Sequence, residues 1–136
     1  MNMIEDKELK EILSESKTIA VVGCSRDPKK AAHIVPKYLK DQDYKVIPVN
    51  PFAEEILGEK VYRTLSEIKD PIDIVNIFRP SEDCLEVVKN AIDIKPKVIW
   101  MQLGIKNTEA AKVAEKHGIK VIMDKCIFIE HKHLIE

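Results

Sequence analysis

The chain has 136 residues, 45% apolar and 33% charged, with a net charge of −1. That length predicts one packed domain over 1–136, burying roughly two-thirds of the unfolded chain's surface. The near-neutral charge argues against nucleic acid or an anionic membrane surface as partner, and no apolar run nears the ~20 residues that span a bilayer. Three widely spaced cysteines, an odd number, predict free thiols in a reducing cytoplasm, and Met1 to Lys17 carries no signal-peptide pattern.

In chain order, Ile4 to Ser16 places Ile4, Leu9, Ile12 and Leu13 on one face of a leading helix. Thr18 to Val22 is a first strand ending at Gly23. A helix begins near Lys30 to His33 and runs to about Asp41, with Pro36 expected close to its first turn. Tyr44 to Val49 is a second strand closing on Asn50-Pro51, and a short helix follows around Leu65 to Ile68. Ile72 to Phe78 is a third strand. Ser81 is placed to cap the next helix, which reaches about Ile94, with Glu82 and Asp83 complementing its dipole. Lys97 to Met101 is a fourth strand. Asn107 or Thr108 caps a helix that ends at His117-Gly118, and Ile119 to Met123 is a fifth strand. No periodicity assigns Asp124 to Glu136.

Five short apolar strands alternating with helices predict an α/β, Rossmann-like doubly wound fold. Its five-stranded parallel sheet is expected in order 3-2-1-4-5, with helices on both faces. A ligand then belongs outside the carboxyl ends of the strands, near the switch between strands one and four. The loops Gly23 to Lys30, Asn50 to Phe52, Phe78 to Ser81 and Met101 to Gly104 converge there.

The turn after strand one reads Gly23, Cys24, Ser25, Arg26, Asp27, Pro28, and keeps only the first glycine of the dinucleotide fingerprint Gly-x-Gly-x-x-Gly. Ser25 offers a hydroxyl to a phosphate, and Arg26, Lys29 and Lys30 put three cations within five residues. Strand two ends in Asn50-Pro51 where NAD normally meets a carboxylate on its ribose. Asp41 and Asp43 fall at the wrong end of that strand. A nucleotide with an extra ribose phosphate fits this absence better. Phe78 beside Arg79 suits an adenine and a phosphate, and Gln102 is a better polar candidate than Trp100. Cys24 among cations suggests a thiol of lowered pKa. Cys126, His131 and His133 match no zinc spacing, and no Ser-His-Asp set is visible, so neither catalytic residues nor metal ligands are assigned. Two rival readings stay open: an NAD(P)-binding oxidoreductase, and a thiol-based redox or regulatory interaction module using Cys24 or Cys126.

Six stretches carry a family resemblance: Val21 to Arg26, Val46 to Pro51, Ile56-Leu57-Gly58, Asp73 to Pro80, Trp100 to Ile105 and Cys126 to Glu130. In order and spacing they resemble the small stand-alone proteins of the CoA-binding Rossmann-like family. They are also similar to the N-terminal CoA-binding domain of the succinyl-CoA synthetase α subunit. The likeness runs from about Ser14 to Ile135. It implies coenzyme A as ligand, with Gly23, Cys24, Ser25 and Arg26 holding phosphate and Lys30 assisting. Asn50 and Pro51 would border the nucleotide, Phe78 and Arg79 would flank adenine and phosphate, and Met101 and Gln102 would line the far side. The synthetase's phosphorylated histidine belongs to a further domain outside the likeness. The resemblance therefore implies binding, sensing or carriage of CoA or acyl-CoA rather than turnover, in a monomer or small homo-oligomer.

Overall fold

The computed structural model describes residues 4–135; Met1 to Met3 and Glu136, the ends of the expected single domain, lie outside them. The main sheet is built from β1 (Thr18–Val22), β2 (Lys45–Val49), β5 (Ile74–Ile77), β6 (Val98–Met101) and β7 (Lys120–Ile122), and a small hairpin from β3 (Glu55–Ile56) and β4 (Glu59–Lys60). All pairings within the main sheet are parallel.

Alternate residues of each strand feed two cores, as a period of two requires. Ile19, Val21, Ile74, Val98 and Trp100 pack beneath α1 (Asp6–Glu15), α2 (Ala31–Asp41) and α5 (Ile127–Leu134). Ala20, Val22, Val75, Ile77, Ile99 and Met101 pack beneath α3 (Cys84–Ala91) and α4 (Thr108–Lys116). The helix α5 is the element that the unassigned tail forms. Ile127 and His131 are its buried residues.

The order of the sheet is β2-β1-β5-β6-β7. The strand expected outside β2 lies against β1 instead, so the five strands run 2-1-3-4-5 in chain order and the switch falls between β1 and β5. Pro48 supplies the reason. Its carbonyl faces the outer edge of β2, where it accepts from Tyr62 N–H at 3.0 Å. Its missing N–H faces the same way, because both groups of one residue point to the same side of a strand. Among the described residues the outer edge carries a single isolated parallel bridge, Val49–Tyr62.

Two local expectations also change. Pro36 lies well inside α2 rather than at its first turn. Ser81 does not cap a helix: it opens a 3-10 turn, Ser81–Asp83, and its Oγ accepts Lys106 N–H at 2.9 Å. Asn107 is the cap expected of it, its Oδ1 accepting Ala110 N–H at 2.9 Å, and Gly118 ends α4 at φ 78°.

At the amino edge, the Asp73 carboxylate accepts the N–H groups of Lys17 (2.8 Å) and Thr18 (3.1 Å) and faces Lys97 Nζ at 3.4 Å. Burial works to raise its pKa. The two backbone donors and Lys97 together outweigh burial and hold it below the usual carboxylate range. The stabilisation is therefore present above that range and is lost as pH falls through the lowered value. Asp73→Ala is expected to lose about 1.5–3 kcal/mol at neutral pH. In urea melts the difference from wild type should shrink on acidification; a constant difference would contradict the assignment.

Candidate functional site

At the carboxyl edge of the sheet Gly23 turns the chain at φ 85°. Its N–H donates to Val49 O at 3.0 Å, and Phe78 N–H donates to Val22 O at 2.8 Å, so the ends of β2, β1 and β5 are laced together. A Cβ on Gly23 would lie 2.7 Å from the Phe78 carbonyl oxygen and 3.3 Å from Arg79 Cδ. Only glycine allows both this φ and this approach.

The loop beyond Gly23 is tied to α2. Ser25 N–H donates to Ala32 O at 3.0 Å. That carbonyl is free for it because Pro36, four residues on, has no N–H to offer. His33 Nδ1 lies 2.7 Å from Ser25 O and must carry the proton, since a carbonyl only accepts. Ser25 Oγ accepts Asp27 N–H and Asp27 Oδ1 accepts Lys29 N–H, both at 3.0 Å. Arg26, Lys29 and Lys30 are exposed and make no ion pair among the described residues. No acidic residue and no capping side chain occupies the start of α2, so its first-turn N–H groups keep their positive potential.

Asn50 joins two loops. Its Nδ2 donates to Cys24 O at 2.9 Å, and its Oδ1 accepts Phe52 N–H at 2.7 Å and Ala53 N–H at 3.1 Å. Its side chain thus organises the site rather than presenting a free group. Pro51 is exposed beside it. Together Ser25, Arg26, Asp27, Asn50 and Phe52 line an open depression of about 380 Å³. Phe78 is half-buried against the α1/α2/α5 core. Arg79 is exposed, its Nη2 2.8 Å from Asp83 Oδ2, a pairing that solvent keeps weak.

Three expected residues do not present side chains here. Cys24 is buried in the core, and burial pushes its thiol up to about 12, with the backbone hydrogen bond at Ser25 only partly opposing. The expected low-pKa thiol is therefore absent, and only the Cys24 backbone belongs to the loop. Met101 is fully buried against α3 and α4. Gln102 is 4% exposed, and its Oε1 accepts from Asn76 Nδ2 (3.2 Å) and Ile127 N–H (2.9 Å). A place at the end of a strand does not by itself face the ligand: the helices cover Met101, and α5 closes over Gln102.

Phe52 ends a loop expected to converge here, is not itself among the expected site residues, and lines the depression. Its signal in the sequence is an aromatic directly after Asn-Pro in a polar loop. Elsewhere, among the described residues, no group of three or more His, Cys, Asp or Glu could hold a metal ion. No described helix is long and apolar enough to cross a membrane. Burial also pushes Cys84 up to about 11, with Asp83 and Glu82 adding to it, while Cys126 is half-buried at the start of α5. Brief alkylation of the native protein at neutral pH should label Cys126 and spare Cys24 and Cys84, read by peptide mass spectrometry; rapid labelling of Cys24 would contradict its placement.

A protein-family model for the CoA binding domain matches residues 17–132. The uncharacterized protein YneT of Bacillus subtilis (strain 168) is 46% identical over 124 residues, covering 91% of this chain and 92% of its own. The ADP-forming acetate–CoA ligase of Methanocaldococcus jannaschii is 30% identical over 137 residues, 95% of this chain but only 19% of the ligase. A solved structure, a hypothetical protein from Pyrococcus horikoshii OT3, superposes with a TM-score of 0.95 at 39% identity, covering 98% of this chain and 94% of that one.

Proposed function

This chain belongs to the CoA-binding domain family, with coenzyme A as its ligand, and we propose that CoA or acyl-CoA docks at the carboxyl ends of β1, β2 and β5 in a protein that binds, senses or carries it without turnover. The observation that carries this reading is the loop from Gly23 to Lys30. Its glycine removes the side chain that would block close approach. Its three exposed cations lack ion pairs among the described residues, and it leads into an uncapped α2. These are the requirements of a phosphate site.

In this reading the pyrophosphate lies over Gly23 and the start of α2, and Ser25 donates its hydroxyl proton. Arg26 and Lys30 take the phosphate charge. Asn50 and Pro51 wall the nucleotide, and Phe78 and Arg79 close the β5 side. The extra phosphate of CoA accounts for the cations of the β1 loop, and β2 ends in Asn50 where an NAD site carries a ribose-binding carboxylate. The chain corresponds to 19% of the M. jannaschii ligase, so ligase chemistry is not carried over. A cytoplasmic location as a monomer or small homo-oligomer goes with the reading, and the three free cysteines agree with a reducing compartment.

Thermal-shift measurements with CoA, acetyl-CoA, NAD, NADP and FMN test it. CoA and acetyl-CoA are expected to raise Tm, and stabilisation by NAD alone would refute the reading. Arg26→Ala should weaken CoA binding about ten- to hundredfold while leaving the ligand-free Tm unchanged, since Arg26 is exposed.

A further inference from the structure

Phe52 is 87% exposed, yet its backbone is fixed. Its N–H and that of Ala53 are both held by Asn50 Oδ1, and Asn50 in turn holds Cys24 O in the phosphate loop. An aromatic ring presented to water from a tethered backbone, away from the core, lines the same depression as Ser25, Arg26 and Asp27. At about 380 Å³ that depression is near the small end of ligand sites, which run from about 300 to 1,000 Å³. It is open to solvent and of a size that admits a nucleotide. Farther along the edge, β6 ends in a buried Met101 and a buried Gln102 whose carbonyl is already engaged, so neither offers an accessible acceptor to a pantetheine arm. Asp27 engages Lys29 N–H through Oδ1, and its Oδ2 has no partner among the described residues. A carboxylate there accepts a ribose hydroxyl and repels a phosphate at the same carbon.

We propose that this depression is a self-sufficient site for adenosine 3′,5′-bisphosphates. The base stacks on Phe52, the phosphates meet Arg26, Lys29, Lys30 and the Ser25 hydroxyl, and the 2′-hydroxyl meets Asp27. The proposal rests on the CoA reading above and extends it. The ligand class includes 3′-phosphorylated adenosine nucleotides that carry no pantetheine, and acyl groups pass unread.

Calorimetric titration of the full chain with four probes tests this: CoA, adenosine 3′,5′-bisphosphate, adenosine 2′,5′-bisphosphate and pantetheine. The 3′,5′-bisphosphate is expected to bind within about tenfold of CoA, the 2′,5′ isomer at least about tenfold more weakly, and pantetheine without measurable heat. Phe52→Ala should weaken CoA and the 3′,5′-bisphosphate by the same factor, about five- to hundredfold, with the ligand-free Tm unchanged. CoA binding with a bisphosphate more than about a hundredfold weaker would overturn the proposal. So would equal binding of the two isomers, or unchanged bisphosphate affinity in Phe52→Ala. Bisphosphate binding without CoA binding would refute the CoA reading and leave this site standing; failure of both ligands would refute both.

Discussion

Between the carboxyl ends of β1 and β5, the backbone of Gly23 passes so close to the Phe78 carbonyl that a single added carbon would sit 2.7 Å from its oxygen. This contact follows from the strand order. Because β5 pairs directly with β1, the loops leaving the two strands begin side by side and then diverge, one into α2 and the other into the turn before α3. That divergence opens the cleft where ligands of open α/β sheets bind. A side chain at Gly23 would meet backbone rather than a flexible tip, so relief would require moving the end of β5. The shape of the edge thus depends on one absent Cβ.

Around that contact the half-buried polar groups act mainly on one another. Asn50 fastens the β2 loop to the β1 loop, and Ser25 and His33 fasten the β1 loop to α2. Pro36 contributes by omission. A helix interior normally loses about 3 kcal/mol to proline, partly through a carbonyl left unpaired. Here that carbonyl, Ala32 O, is taken by Ser25 N–H, so the helix defect becomes the anchor of the loop. On the other side, Asn76, Gln102 and Ile127 N–H form a buried chain joining β5, β6 and α5. One acceptor in it, Asn76 Oδ1, has no protein partner, a local cost borne next to the element that closes the core.

The strands and helices are legible in the sequence because their apolar periods are clean. Ile19 and Val21 face one core, and Ala20 and Val22 the other. The loop from Gly23 to Lys30 is legible too, since an apolar run broken by glycine and followed by cations marks the end of a strand and the approach to the next helix. The pairing order is harder to read. It turns on which edge of β2 the missing N–H of Pro48 faces, and that depends on register rather than composition. Cys24, Met101 and Gln102 depart from expectation for a related reason. Near a strand end, successive side chains alternate between the ligand side and the core, and a helix arriving from far along the chain decides which positions are covered. The tail that forms α5 shows no clear period, because a short helix buried through Ile127 and His131 leaves little pattern to find.

The division between buried wiring and exposed contact also explains why bulk charge says so little about the ligand. The chain as a whole carries −1, yet from Arg26 to Lys30 three cations stand against one carboxylate, and that carboxylate is already engaged by Lys29 N–H. Elsewhere some cations are matched locally: Lys97 with Asp73, Lys40 with Glu59, Lys37 with Asp41. A uniform surface would give no field at the cleft. Three cations within five residues concentrate the positive potential where the uncapped start of α2 already supplies some. The positive potential at this loop therefore resides in how its cations cluster, a feature of arrangement that composition averages away.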